Sequence, residues 1–460
     1  MTIEVKPKRA INRLQSMYAL RAQADKIYEV AQKAKEEGKQ VAWYMVGAPT
    51  PILDAMGIES VYPENFGGTS AATGDAVTFL EKAGAEGLPT HLCGYAQNCF
   101  GYAARMAELG GEVPPEAPRG GMPKPDLLVS TGGGCDARYK WFQSLGRYLD
   151  APIYTLETSH VAAGRDFQGR DSIREDVHER EVQYQLTELR QFVDFVEHTL
   201  PVKLDIDKLD SDLNIQIAKD KCWWEVNELR KARPGPMHSR DFWSSMHGSL
   251  FRATNPEEVR GLYAAMYAEV KERIEKRIAG INYEERYRLS FSELPPWHSL
   301  GFFDKLAERG WNFVIETNYH PPRPIDVSWV KDPLERFVRY RNPGVCAQID
   351  FDYSPEEAAE IKAEITRQGY SSRLAARNVI EYQCDGAMLH VLLTCRSTSA
   401  HLFLKRKHYM EAAKVPCMAV DGDIVDLSLF NPEETLRKAE AFEETMDYYK
   451  MVRKEAGMAW

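Results

Sequence analysis

Eight short apolar runs, each bounded by turn residues, constrain this chain more than any other feature in it. Four fall early, at 41–46, 58–62, 127–130 and 153–156, and four late, at 287–291, 313–315, 387–393 and 415–420. Runs this short, apolar on successive residues rather than alternate ones, fit strands buried on both faces, which is the condition of a parallel sheet. The segments between them, such as 74–83 and 96–109, are long enough for crossover helices, so strand and helix alternate.

The fold class predicted is therefore α/β, with two Rossmann-like domains, each a mainly parallel sheet of about four strands flanked by helices. A helical segment at 1–39 precedes the first α/β domain at 40–170. A mainly helical linker at 171–283 follows, with amphipathic stretches at 174–200, 206–232 and 256–279. The second α/β domain occupies 284–460. Pro234, Gly235 and Pro236 interrupt the helical linker, since proline cannot continue a helix. A length of 460 residues supports two or three cores at roughly 150 residues per domain.

Composition excludes several classes of function. With 44% hydrophobic and 27% charged residues the chain is an ordinary globular one. A formal net charge of -10 offers no basic face for a phosphate backbone, so no nucleic-acid partner is expected. No stretch reaches the roughly 18 consecutive apolar residues of a membrane span. The first forty residues are charged throughout and lack a signal-peptide core, so a cytoplasmic location is expected. Neither a GxxxxGK[ST] loop nor GxGxxG occurs, which leaves no evident nucleotide cradle.

Eight cysteines, with no Cys-x2-Cys pair, argue for reduced thiols and against the common zinc modules. In open α/β sheets ligands lie beyond the carboxyl ends of the strands, so each cysteine can be sorted by strand end. Cys135 follows the third run through Gly132, Gly133 and Gly134, a stretch of bare backbone amides suited to an anion. Cys395 follows the seventh run in the same topological position. Cys93 enters the helix that begins near Tyr95. The other five fit packing or exposed thiols: Cys99 on another helix face, Cys222 on a helix, Cys346 in a Pro/Gly loop, Cys384 ahead of its strand and Cys417 within one. Position alone leaves two readings open. The three selected thiols either hold an iron–sulfur cubane with one open iron, or pack at helix starts.

Polar residues also follow the fifth and sixth runs. Glu293 and His298 stand where an acid or base would, and Thr317, Asn318 and His320 where acyl-group contacts would. His160 lies in a polar segment after the fourth run and has the same status.

Four stretches resemble one family when taken together. They are CDARYKWFQSLGRYLDAPIY (135–154), ARPGPMHSRDFWSSMHGSLFRAT (232–254), EERYRLSFSELPPWHSL (284–300), and the closing YQCDGAMLHVLLTCRSTSAHLFLKRKHY with VPCMAVDGDIVD (382–426). They are similar to the larger cluster-binding subunit of ATP-dependent benzoyl-CoA reductases, which share a superfamily with the 2-hydroxyacyl-CoA dehydratases. The similarity runs from about residue 40 to 450.

The resemblance implies a [4Fe-4S] cluster on Cys93, Cys135 and Cys395, a smaller homologous cluster-binding subunit, an ATP-hydrolysing iron–sulfur activator and a ferredoxin-type donor upstream of it. It implies low-potential electron transfer to an aromatic acyl-CoA giving a dienoyl-CoA. The superfamily also admits a ketyl-radical dehydration of a 2-hydroxyacyl-CoA. Burial of the cluster and few hydrogen bonds to sulfur are the expected means of keeping its potential low. The triple glycine before Cys135 and the additional Cys99 and Cys384 depart from the family pattern. A non-catalytic iron–sulfur scaffold, with Cys99 as fourth ligand, and a cluster-free transferase are the competing readings.

Overall fold

The structure is a computed structural model that describes residues 9–132, 135, 137–157, 169–251, 255–321, 323–458 and 460. All eight apolar runs form strands: β1 Val41–Tyr44, β2 Glu59–Val61, β3 Leu127–Thr131, β4 Ile153–Leu156, β5 Tyr287–Ser292, β6 Trp311–Glu316, β7 Gly386–Leu392 and β8 Cys417–Gly422. They make two four-stranded sheets of order β2-β1-β3-β4 and β6-β5-β7-β8, parallel throughout. The two sheets have the same winding. Each chain path goes outward from its first strand and then returns across it, so both have a switch point between their first and third strands, where a crevice opens at the carboxyl edge.

Burial explains the runs. Every residue of β1, β3, β5 and β6 is buried: β1, β3 and β5 are central parallel strands, and β6, at the edge of its sheet, is covered by packed helices. Strand β8 alternates between buried and exposed positions, which marks an edge strand with one solvated face. In β6 the pleat and a register shift opposite Leu289/Ser290 divide the chain between two cores. Phe313 joins Leu289, Phe291 and Phe303 on one face, while Val314 and Ile315 join Leu389 and Tyr409 on the other.

The core of the first sheet reaches beyond its own crossover helices. It takes in Met17 and Leu20 of the helix Gln15–Glu36, Val182 and Leu186 of Glu175–Thr199, Trp223 of Ile206–Leu229, and Tyr263 of Pro256–Glu275. The helix Ile206–Leu229 is also fastened to the second sheet. Arg230, just past its end, pairs both guanidinium nitrogens with the Glu316 carboxylate at 2.7 and 2.8 Å, both side chains fully buried. Buried Arg288 of β5 donates to the carbonyls of Ala232 and Tyr382 at 3.0 Å each. These bonds seal the Pro/Gly break at 232–236 against the second domain.

Some boundaries differ from expectation. Within the helical segment expected over 1–39 the helix spans Gln15–Glu36, and the helix expected over 206–232 ends at Leu229. A helix at Pro63–Thr73 lacks the apolar periodicity that would reveal it, because its sequence is rich in glycine and small residues. Among the described residues no helix is long and apolar enough to cross a membrane.

Candidate functional site

Three helix starts meet where the two carboxyl edges face each other. Cys93 is the N-cap of Gly94–Glu108, Cys395 is the N-cap of the short helix Arg396–Ser399, and Cys135 stands just ahead of Ala137–Leu149. All three thiols line one cavity of about 320 Å³. The chain thus brings together the three cysteines that strand position selects. Burial pushes the Cys93 thiol up, and the neighbouring Cys395 and Cys135 add to the rise. Burial also raises Cys135, opposed by the Arg138 guanidinium in the first turn of the following helix.

The backbone amides that follow each cysteine, those of Ala96 and Tyr95 after Cys93 and of Arg138 and Ala137 after Cys135, pull against the rise. Amides at a helix start favour a thiolate. Among the described residues no three His, Cys, Asp or Glu side chains converge as a ready-made site for a metal ion.

Bonds between the two halves fix the separation of the cysteine-bearing turns. The Gly94 amide donates to Thr394 Oγ1 at 3.1 Å, and Thr394 in turn donates to the Asp423 carboxylate. Asp423 is held by the amides of Val425 and Asp426, both at 2.9 Å. One short network therefore ties the residue after Cys93 to the residue before Cys395. A second tie runs from Trp297 Nε1 to the Tyr95 hydroxyl at 2.6 Å, with Tyr319 close enough to raise the same phenol. Gly67 lets the helix Pro63–Thr73 approach this group, because a Cβ there would lie 2.7 Å from Tyr95 Cδ1.

The remaining wall is mostly aromatic and apolar: Tyr28, Trp141, Met246, Phe251, Leu294 and Ile424. Glu64 and His247 are among the titratable groups that stand in it. Glu64 accepts from the Val46 amide at 3.0 Å and faces Arg138 at 3.6 Å; burial raises its carboxyl, against the pull of Arg138. Burial lowers His247 to about 4, with Arg21 adding to the effect. Sequence reasoning missed both. Glu64 lies just beyond β2, a strand-end position of the kind that singled out the cysteines, whereas His247 comes from the helical linker and carries no such signal. The first helix was expected only to pack, yet it supplies Arg21, Asp25 and Tyr28 to the cavity.

The polar residues expected after β5 and β6 lie elsewhere. Glu293 is 2% exposed and bonded to Lys405 Nζ at 2.5 Å, Ser292 Oγ at 2.8 Å and Asn318 Nδ2 at 3.0 Å. Burial pushes its carboxyl up, but Lys405 and His401 push it down further, to about 2. It is an ionised partner of a buried lysine, which does not suit the proton-donor role expected of it. Burial also lowers His298, whose Nε2 is 3.0 Å from the Asp423 carbonyl and Nδ1 2.7 Å from Ser299 Oγ. Thr317 serves the Glu293 amide, and His320 bonds Asn378 at 3.2 Å. Glu293, His298, Asn318 and His320 are not among the residues lining the cavity. His160 lies outside the described residues.

The other cysteines are free thiols away from the cavity. Cys99 and Cys384 are fully buried in the first and third cores. Cys346 is in the first turn of the helix Val345–Asp352 rather than in a loop, and its thiol faces the Ile173 carbonyl at 2.9 Å.

Two parallel α/β sheets with one thiol-lined cavity at their facing carboxyl edges define a two-domain protein whose site is assembled from both halves. Residues 45–446 match the family model described as 2-hydroxyglutaryl-CoA dehydratase, D-component, and the chain belongs to that family. It is 23% identical over 434 residues to the (R)-2-hydroxyisocaproyl-CoA dehydratase alpha subunit of Clostridioides difficile, covering 93% of this chain and 95% of that one. It is 20% identical to the alpha subunit of the (R)-2-hydroxyglutaryl-CoA dehydratase of Acidaminococcus fermentans, with 93% and 96% covered. It is 24% identical to a benzoyl-CoA reductase subunit of Thauera aromatica, with 91% and 92% covered. The superfamily resemblance seen in the sequence is thereby borne out, and these relatives are subunits of enzymes acting on acyl-CoA.

Proposed function

We propose that this chain is the catalytic, cluster-binding subunit of an aromatic acyl-CoA reductase, with a [4Fe-4S] cluster on Cys93, Cys135 and Cys395. The observation that carries the reading is a single aromatic-walled cavity lined by three thiols from both domains. The donor set suits such a group. A cubane offers a separate iron to each thiolate, so its ligands line a wall instead of meeting at one point, and three ligands leave one iron for a non-cysteine group. When bound, the cluster supplies low-potential electrons to an acyl group beside it.

The chain's own residues do the rest. The helix-start amides stabilise the Cys93 and Cys135 sulfurs as thiolates. Tyr95, Trp297 and Tyr319 exclude water and stack on a flat acyl group. Formation of a dienoyl-CoA takes two electrons and two protons. Glu64, whose carboxyl burial raises, is placed to hold a proton at Oε1 or Oε2 for delivery to the ring. Cys99, packed in the first core, is not placed as a fourth ligand, which weighs against a fully ligated scaffold.

A second reading is a (R)-2-hydroxyacyl-CoA dehydratase subunit. The family match and the dehydratase relatives favour it. In that case a ketyl radical expels hydroxide and the electron is recovered. Under either reading we propose a smaller homologous cluster-binding partner and a separate ATP-hydrolysing activator fed by a ferredoxin-type donor. The test is product and ATP analysis on the anaerobically purified complex with its activator. A cyclic diene formed from benzoyl-CoA with stoichiometric ATP use supports reduction. Water loss from a 2-hydroxyacyl-CoA with catalytic ATP use, and no diene, replaces it with the second reading.

A further inference from the structure

His247 holds none of the thiols, although it lines the same cavity with its ring against Phe251. Its Nδ1 lies 3.4 Å from Asn65 Nδ2. The orientation of that amide is set from behind, because the Tyr28 hydroxyl donates to Asn65 Oδ1 at 2.6 Å. Asn65 therefore turns its NH2 toward the histidine. A donor facing Nδ1 makes Nδ1 the acceptor and leaves the ring proton on Nε2. Among the described residues Nε2 has no hydrogen-bond partner, and it is not one of the buried, sealed-off polar atoms, so it opens on the cavity. The chain Tyr28, Asn65, His247 thus ends in one N–H that has no partner among the described residues, on a residue that lines the cavity.

We infer that His247 Nε2–H donates to the carbonyl oxygen of the bound acyl thioester. This rests on the reading of the cavity as the acyl-CoA site. That oxygen is where negative charge collects when an electron enters the conjugated acyl group, and a preorganised donor there is stronger in the reduced state than in the ground state. Burial keeps the imidazole neutral down to about 4, so it polarises the carbonyl without giving up its proton. Arg21, the charged group whose field reaches the ring, reinforces that neutrality. No bond forms or breaks at His247, and no proton leaves it.

The experiment compares benzoyl-CoA with S-benzyl-CoA, which lacks the carbonyl, by calorimetric titration of the intact, anaerobically purified complex. Wild type is expected to prefer the thioester by about tenfold, the worth of one such hydrogen bond. His247→Phe is expected to abolish the preference while holding S-benzyl-CoA affinity within about twofold. His247→Gln, which keeps an N–H donor, is expected to retain part of the preference and guards against a folding failure of the first variant. The carbonyl stretch of 13C-labelled thioester should move to lower frequency on binding wild type and stay unshifted in His247→Phe. An unchanged preference in His247→Phe, equal loss of both ligands, or no shift of the stretch in wild type overturns the assignment. Failure of wild type to bind either ligand overturns the acyl-CoA reading and the assignment with it.

Discussion

Burial gives the same residue type opposite fates according to what surrounds it. Glu293 and Glu64 are both buried carboxylates just beyond strand ends, but Lys405 ionises the first while Arg138, farther off, leaves the second raised. Glu293→Gln would remove the carboxylate ion-paired with buried Lys405, at a cost of about 3–5 kcal/mol in urea unfolding. The surviving folded protein should keep its iron. Acid should destabilise the protein in two stages. His247 and His390 are held near 4, below the ordinary 6.5, so the unfolded chain takes up their protons first and stability falls as pH drops from about 6.5 to about 4. Glu293, lowered from 4.5 to about 2, contributes stability above 4.5 that is lost on further acidification. Melting temperature measured from pH 7 to pH 3 should decline across both windows, and a flat profile would contradict these assignments. The cysteines were legible in the sequence because a strand end announces the crevice. The fate of Glu293 was not, since its counter-ion arrives from the helix Leu402–Ala413 with no sequence signal linking the two.

At the scale of the element, periodicity made the strands readable and small residues hid the helix that shapes the cavity. Pro63–Thr73 depends on glycine for approach rather than on an apolar stripe for burial, whereas Gly94–Glu108 buries a stripe of Tyr95, Cys99, Tyr102 and Met106 and uses glycine as well. Gly101 shows the same device on the outer side of Gly94–Glu108. A Cβ there would lie 1.8 Å from the Phe79 carbonyl oxygen, a backbone atom that cannot swing aside. Gly101→Ala should therefore force Ala76–Ala85 and Gly94–Glu108 apart and cost about 1–3 kcal/mol by denaturant midpoint. A cost near zero would mean that the two helices are not so closely packed. The three long helices between the sheets were readable from their charge patterning. Their packing against the first core was not, because an amphipathic stripe does not state which sheet it covers.

For the whole molecule, the site exists only while the two halves keep their spacing. Gly94, Thr394 and Asp423 form a connection of a few side chains between them. Thr394→Val removes a hydroxyl that bridges the halves and leaves the Gly94 amide and the Asp423 carboxylate short of a partner. It should lower iron content while circular dichroism stays near wild type, whereas full iron retention would show that the spacing is held by other contacts. The central claim is that Cys93, Cys135 and Cys395 together hold one cluster. The most direct measurement is iron and acid-labile sulfide in the anaerobically purified complex after Cys93→Ser, Cys135→Ser or Cys395→Ser, with Cys384→Ser as control. Each of the three should lose the iron and sulfide of one cluster while the control keeps them. Loss with Cys384→Ser, and full retention in the other three, would contradict the claim.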